Sequence, residues 1–269
     1  MKPLLKVENL KKSYCQRTFR GPHEEVRALD GVSFSLLRGA TLALVGESGS
    51  GKSTLAFCLA GLEKPTSGSI WFEDENIVGL EEKDLRTIRR QIQLIFQDPA
   101  GSFNPRWNVL EILTEPLALG GDLGREEMRR RTNALLDQVG LSAAMEKKLP
   151  LEMSGGQRQR LAIARALALE PSLLILDEAL SALDCSVQAQ IANLLVELQS
   201  LHAVAYLFIS HDLAMAAHLA DEIAVMGHGQ VVEQGPPDKI LKRPESKITR
   251  ELLAALPGRD FSPPAGPEP

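Results

Sequence analysis

Thr41-Leu42-Ala43-Leu44-Val45-Gly46-Glu47-Ser48-Gly49-Ser50-Gly51-Lys52-Ser53-Thr54 is the stretch on which the fold turns. A short β-branched and apolar run ends at Gly46, a glycine-rich turn follows, and from Lys52 to Leu62 the apolar residues recur at helical spacing. Strand, glycine loop and helix thus succeed one another, and Gly46 to Ser53 fits G-x-x-x-x-G-K-[ST] without departure. Glycines let backbone N–H groups turn inward around a phosphate, Lys52 adds a point charge for further phosphate oxygens, and the Ser53 hydroxyl can ligate Mg²⁺. Gly46, Glu47, Ser48, Gly49, Ser50, Gly51, Lys52, Ser53 and Thr54 are therefore expected to cradle a nucleotide's phosphates. A plain glycine turn would account for the string but not for its flanking strand and helix.

Outward from this loop, strand and helix patterns alternate. Strands are expected at Val7 to Leu10, Val32 to Leu36, Ile70 to Glu73 and Ile92 to Phe96, with a charged amphipathic helix from Glu82 to Arg90. Cys15 to Arg27 is polar, carries Gly21-Pro22 as turn punctuation, and reads as a solvated hairpin loop. From Arg106 to about Pro150 the pattern becomes helical, with segments Val109 to Leu119 and Arg125 to Val139 separated by Gly120-Gly121, an all-helical insertion. Ser154 can cap a helix running to Leu169, ahead of Pro171 and a buried-type strand from Leu173 to Leu176. Helix Val187 to Leu201, strand Ala205 to Ile209, helix Leu213 to Ala220 and strands Ile223 to Met226 and Val231 to Glu233 continue the series. Such alternation predicts an α/β fold with a mainly parallel sheet covered on both faces. The last stretch, Pro257 to Pro269, is rich in proline and poor in apolar residues and is expected to be disordered.

The bulk properties narrow the class. A chain of 269 residues suits one large domain or a core with a subdomain. With 30 Lys and Arg against 35 Asp and Glu, the net charge of -5 provides no overall basic surface for nucleic acid or an anionic membrane. Cys15, Cys58 and Cys185 lie far apart without metal spacing, which predicts reduced thiols, no disulfide and no zinc. The opening Met1 to Lys6 lacks the apolar core of a secretory signal, and charges interrupt every apolar run before it could span a bilayer. Any membrane role is expected to need a membrane partner.

Several polar residues follow predicted strands on the edge where parallel sheets bind ligands. Asp177 ends the run from Leu173 and can hold Mg²⁺ through water. Glu178, one residue on, is free to polarise a water for in-line attack on a terminal phosphate. His211 follows Ala205 to Ser210, where it can contact that phosphate and respond to its loss. Gln97 follows Ile92 to Phe96, and its uncharged amide can ligate Mg²⁺ or orient the water. Tyr14 can stack on a purine ring or simply pack.

The order of the phosphate loop, Gln97, Ser154-Gly155-Gly156-Gln157, Asp177-Glu178, Ser181-Ala182-Leu183-Asp184 and His211 resembles that of the ATP-binding cassette (ABC) ATPases. The resemblance runs from Tyr14 to about Pro257. It implies a P-loop NTPase core with an N-terminal antiparallel β-subdomain and an inserted all-helical subdomain, with ATP and Mg²⁺ as ligands. It also implies that Ser154, Gly155, Gly156 and Gln157 touch the γ-phosphate held by a second subunit, which suits a helix N-terminus. The Ser181 to Asp184 loop would communicate across that dimer, and Tyr14 would stack on the adenine. Glu178, His211 and Gln97 would be catalytic, and Ser53, Gln97 and Asp177 would hold the metal.

Within the family the chain is similar to importer ATPases of the dipeptide, oligopeptide and nickel group. The long Cys15 to Arg27 segment, Gln97-Asp98-Pro99 with Ser102 to Arg106, Tyr206 to Asp212 and Ile248 to Pro257 carry this likeness. Met153 stands where relatives have leucine or phenylalanine, a volume-conserving exchange, and Ala179 stands where most have proline. The C-terminal region lacks the cysteine cluster of some relatives, so iron–sulfur binding is not expected. The resemblance implies residues 1–235 as the ATP-binding domain, with the helical insertion at about 100–165. Residues 236–256 would form a family extension and 257–269 a disordered tail.

The implied partners are membrane permeases, joined through Asp98 to Trp107, a second ATPase subunit and, indirectly, a substrate-binding protein, with no nucleic acid. A heterodimer is expected because the group pairs different subunits, and a homodimer is the alternative. The implied place is the cytoplasmic face of the membrane, and the implied cargo a di- or oligopeptide, or else nickel or a metal chelate. A soluble ABC ATPase acting on ribosomes or DNA is the competing class. Those forms carry two cassettes or long coiled coils, neither of which is visible here.

Overall fold

The computed structural model describes residues 2–16, 24–119 and 123–255. Along the chain come β1 (Pro3–Gln16), β2 (Glu24–Leu37), β3 (Thr41–Val45), α1 (Lys52–Leu59), β4 (Ser67–Phe72), β5 (Glu75–Asn76), α2 (Glu82–Gln91) and β6 (Ile92–Ile95). Helices α3 (Val109–Leu119), α4 (Arg125–Gln138) and α5 (Gly155–Leu167) follow, with a short 3₁₀ turn ahead of α3 (Pro99–Ser102) and two between α4 and α5 (Ala143–Met145 and Pro150–Glu152). Then come β7 (Leu173–Asp177), α6 (Cys185–His202), β8 (Ala205–Ser210), α7 (Leu213–Leu219), β9 (Glu222–Gly227), β10 (Gln230–Gly235), α8 (Pro237–Lys242) and α9 (Lys247–Ala254).

Two sheets result. One is antiparallel, in the order β2-β1-β4-β5; the other runs β10-β9-β3-β8-β7-β6 and is parallel except for β10 on β9. Every residue of β3, β7 and β8 is buried, as a parallel sheet covered on both faces requires. Strand alternation then divides the core in two. Ala43, Val45, Leu174, Leu176, Tyr206 and Phe208 face the helical layer of α3 to α6. Leu42, Leu44, Leu173, Ile175, Leu207 and Ile209 face α1 and the antiparallel sheet. The C-terminal helices join the first of these cores through Ile240 and Leu253.

The elements differ from the periodicity at their ends. Of the expected Cys15 to Arg27 loop, both flanks are strand: Ser13 pairs with Arg27, Tyr14 with Val26, Cys15 with Glu25 and Gln16 with Glu24. A ladder of backbone bonds needs no apolar side chains, so an exposed ribbon leaves no hydrophobic pattern to read. The remainder, 17–23 with Gly21-Pro22, lies outside the described residues, as do Gly120-Gly121 and the tail at 257–269. Helix α1 stops at Leu59 instead of Leu62, because Gly61 turns the chain with φ 64°. Helix α5 stops at Leu167, two residues early, ahead of Glu170 at φ 50° and Pro171. The two-residue strand β5 is too short to leave a periodic signal.

Candidate nucleotide site

Strands β3, β6, β7 and β8 run parallel, so the segments leaving their C-terminal ends gather on one edge. From β3 comes the phosphate loop. A Cβ on Gly46 would lie 2.3 Å from the Met226 carbonyl oxygen, and one on Gly51, at φ 104°, would lie 2.3 Å from that of Ala28. The glycines are therefore imposed by the backbone pressed against the loop from behind. Lys52 folds back over the loop, its Nζ donating to the carbonyls of Gly46 (2.8 Å) and Glu47 (2.7 Å). Burial lowers the Lys52 pKa, opposed by the nearby charges of Glu178 and Asp177.

At the start of α1 the Ser53 hydroxyl donates to Asp177 Oδ1 at 3.2 Å, joining residues 124 apart in sequence. Asp177 closes β7 and is buried, which raises its pKa; the Ser53 bond and Lys52 pull it back, while Glu178 adds to the rise. The arrangement presents a hydroxyl and a carboxylate, both hard oxygen donors. Among the described residues no cluster of three or more His, Cys, Asp and Glu side chains has metal-holding geometry. Hard oxygen donors of this kind, with further positions open to other ligands, suit Mg²⁺.

Glu178 leaves the strand in a left-handed conformation, φ 48°, while its N–H still bonds the Ile209 carbonyl at 3.0 Å. Its carboxylate lies 3.6 Å from His211 Nδ1, and its side chain is 23% exposed, open to a water. The Glu178 carbonyl accepts from the Ser181 hydroxyl at 2.8 Å, and the Gln97 amide donates to that same hydroxyl at 3.3 Å. Gln97, Glu178, Ser181 and His211 are thus linked on the sheet edge, beside the Ser53–Asp177 pair. Tyr14 stands on the antiparallel sheet, its ring 4.7 Å from the Lys12 ammonium, which is itself held by Glu63 at 2.8 Å.

Ser154 is the N-cap of α5. Its Oγ accepts from the Gln157 N–H at 3.3 Å, and the Gln157 side chain accepts from the Ser154 N–H at 3.0 Å, a reciprocal capping box. Gly155 and Gly156 pack on Leu183 and Val187: a Cβ added to them would come within 3.3 Å and 2.6 Å of those side chains. The string 154–157 is thereby seated on the Ser181 to Asp184 loop and the start of α6.

Sequence reasoning misses four residues around the site. In the sequence Ser181 is only part of an expected interface loop, yet its hydroxyl connects Gln97 to the Glu178 backbone. Met226 and Gly229 back the phosphate loop from the β9–β10 turn, for which the His228-Gly229 pair is the only local signal. Lys12, beside Tyr14, had no signal at all.

A buried lysine over a glycine loop, a hydroxyl–carboxylate pair and a glutamate–histidine pair on one sheet edge make a phosphate-directed site. The family model for the ABC transporter matches residues 29–181, more than half of the chain. The chain belongs to the ABC transporter family. This cassette is 49% identical over 259 residues to a probable peptide ABC transporter ATP-binding protein of Sinorhizobium fredii, covering 96% of this chain and 73% of that protein. It is 45% identical over 256 residues to the dipeptide transport ATP-binding protein DppF of Escherichia coli, covering 95% of this chain and 77% of that one. Among solved structures, a dimeric ATP-binding cassette in a post-hydrolysis state bound to ADP and Pi superposes with a TM-score of 0.78 at 30% identity, covering 87% of this chain and 98% of that one. The cbiO1 cassette of Clostridium perfringens, part of an ABC transporter complex, gives 0.77 at 31% identity, covering 96% and 97%. The fold is that of an ABC ATPase, and the chain is a nucleotide-binding cassette of that class. Among the described residues, no helix of this cassette is long and apolar enough to cross a membrane.

Proposed function

We infer that this cassette hydrolyses ATP to drive a peptide importer, as one of two paired cassettes bound to permeases on the cytoplasmic face of the membrane. The observation that carries the chemistry is the adjacency of two pairs, Ser53 with Asp177 and Glu178 with His211, at the mouth of the phosphate loop. The peptide cargo is supported by the likeness to peptide and dipeptide ATP-binding proteins over nearly the whole chain.

In this reading the loop amides of 46–54 and Lys52 bind the phosphates, exchanging the Gly46 and Glu47 carbonyls for phosphate oxygens on the ammonium. Ser53, Asp177 and Gln97 hold Mg²⁺, which neutralises phosphate charge when bound. Glu178 accepts a proton from the attacking water, His211 steadies the carboxylate and faces the terminal phosphate, and Tyr14 stacks on the adenine with Lys12 behind it. Ser154 to Gln157 present a helix N-terminus to the nucleotide of the partner cassette.

Residues 1–235 act as the ATP-binding domain with the helical insertion at about 100–165, and 236–256 as an extension. A groove of about 240 Å³ beside Phe96, Phe103, Leu119 and Arg165 lies between β6 and the helical layer, next to the Asp98 to Trp107 segment proposed to meet the permease. We expect the partner cassette to be a different chain and a binding protein to deliver the cargo.

Two experiments test this. With its permeases in vesicles, Glu178→Gln lowers kcat for ATP hydrolysis by about 10²-fold or more while ATP still binds, as loss of a general base requires. Retained turnover in that variant overturns the mechanism. Gentle purification from membranes recovers permeases and a peptide-binding protein; recovery with ribosomes instead overturns the transport reading.

A further inference from the structure

The phosphate loop is held from outside by the turn between β9 and β10. His228 and Gly229, at φ 49° and 76°, form a two-residue turn with both residues left-handed, as a tight hairpin of this kind demands. The Gly229 N–H donates to the Ser50 carbonyl at 3.1 Å, and the Gly229 carbonyl accepts from the Asp30 N–H at 2.8 Å. A Cβ on Gly229 would lie 2.9 Å from the Ala28 carbonyl oxygen, so glycine alone fits between β2 and the loop.

The Ser50 bond has a directional consequence. In a planar trans peptide the C=O and the following N–H point in opposite directions. Holding the Ser50 carbonyl toward Gly229 therefore turns the Gly51 N–H away from the β9–β10 turn, which leaves it free to donate to a phosphate oxygen.

This turn is braced in its own right. Ile248 of α9 lies flat against Gly227, so closely that a Cβ there would come 2.3 Å from Ile248 Cδ1. Helix α9 is in turn pinned by Glu233 of β10, whose buried carboxylate accepts from the N–H groups of Glu245 (2.9 Å) and Ser246 (3.0 Å) and from the Thr249 hydroxyl. A continuous path thus runs from Glu233 through α9 and Gly227 to Gly229 and Ser50.

We propose that the C-terminal helix α9 is a positioning element for the phosphate loop: Ile248, held by Glu233, keeps the β9–β10 turn in the place where Gly229 aims the Gly51 N–H at the nucleotide. This deepens the ATP-binding reading of the same loop and rests on it for the identity of the ligand. Ile248 and Glu233 touch no nucleotide and act through the turn.

The test uses the full chain and two readouts. Without nucleotide, amide hydrogen exchange over residues 46–54 is expected to be about three- to tenfold faster in Ile248→Ala and in Glu233→Ala, as a loosened local hydrogen bond opens more often. The dissociation constant of a fluorescent ATP analogue rises by a similar factor in both, and Ile248→Val restores both readouts. Leu253→Ala, in the same helix and fully buried but contributing none of the three atoms nearest a Cβ on Gly227, lowers the melting temperature and leaves loop exchange unchanged. Unchanged exchange in Ile248→Ala and Glu233→Ala, or an equal effect of Leu253→Ala, overturns the proposal. A wild-type chain that shows protected loop amides but binds no ATP analogue overturns the ATP reading instead.

Discussion

Ser154 has one role that the structure shows, capping α5, and one that is proposed, and the two can be separated. Its oxygen caps α5, which stabilises this chain alone, while its exposed position leaves the helix N-terminus open to an anion from elsewhere. Aspartate caps as well as serine but adds a negative charge. Ser154→Asp is therefore expected to change unfolding free energy by no more than about 0.5 kcal/mol while abolishing ATP hydrolysis by the assembled transporter. Urea unfolding and a vesicle ATPase assay measure the two, and a large loss of stability or retained turnover contradicts the dual role. Glu178 is the opposite case, since its position beside His211 depends on a left-handed backbone that no spacing rule announces.

Between elements, the seating of α5 on α6 depends on Gly156. A methyl group there would come 2.6 Å from Val187 Cγ1, so Gly156→Ala is expected to cost about 1–3 kcal/mol through overpacking. Val187→Ala in the same chain should return about 1 kcal/mol of that, a coupling that a double-mutant cycle by urea unfolding detects. Additive effects would mean the contact is not the cause. At this scale the sequence was most legible where burial is continuous or period-regular: Val109 to Leu119, Leu173 to Leu176 and Ala205 to Ile209 all fall in the elements expected. It was least legible where backbone pairing or a glycine turn sets the boundary, as in the β1–β2 ribbon and at Gly61.

For the molecule as a whole, the C-terminal segment is tied to the parallel sheet by Glu233. Burial pushes this carboxyl's pKa up, but the bonds from Thr249, Glu245 and Ser246 outweigh it and hold it below the usual 4.5. A depressed native pKa contributes stability that is full well above the unfolded carboxyl's value and is lost as pH falls through the lower native one. Glu233→Gln should therefore destabilise the chain by about 1–3 kcal/mol at pH 7, and the gap to wild type should close only below the ordinary carboxylate range. Denaturant titrations at neutral and acid pH measure it, and a gap that is constant with pH contradicts the role of the charge.

By itself the sequence determined the strand–loop–helix around Lys52, the alternation of elements and the local spacing of polar residues after strands. These are short-range properties, since hydrophobic period and turn chemistry report how each segment meets water. Only the tertiary structure decided that Ser53 meets Asp177, that Glu178 faces His211, and that Gly229 stands behind Ser50. Those contacts join residues far apart in the chain. They follow from the order and register of β9, β3, β8 and β7, which depend on how whole strands pack rather than on any local pattern.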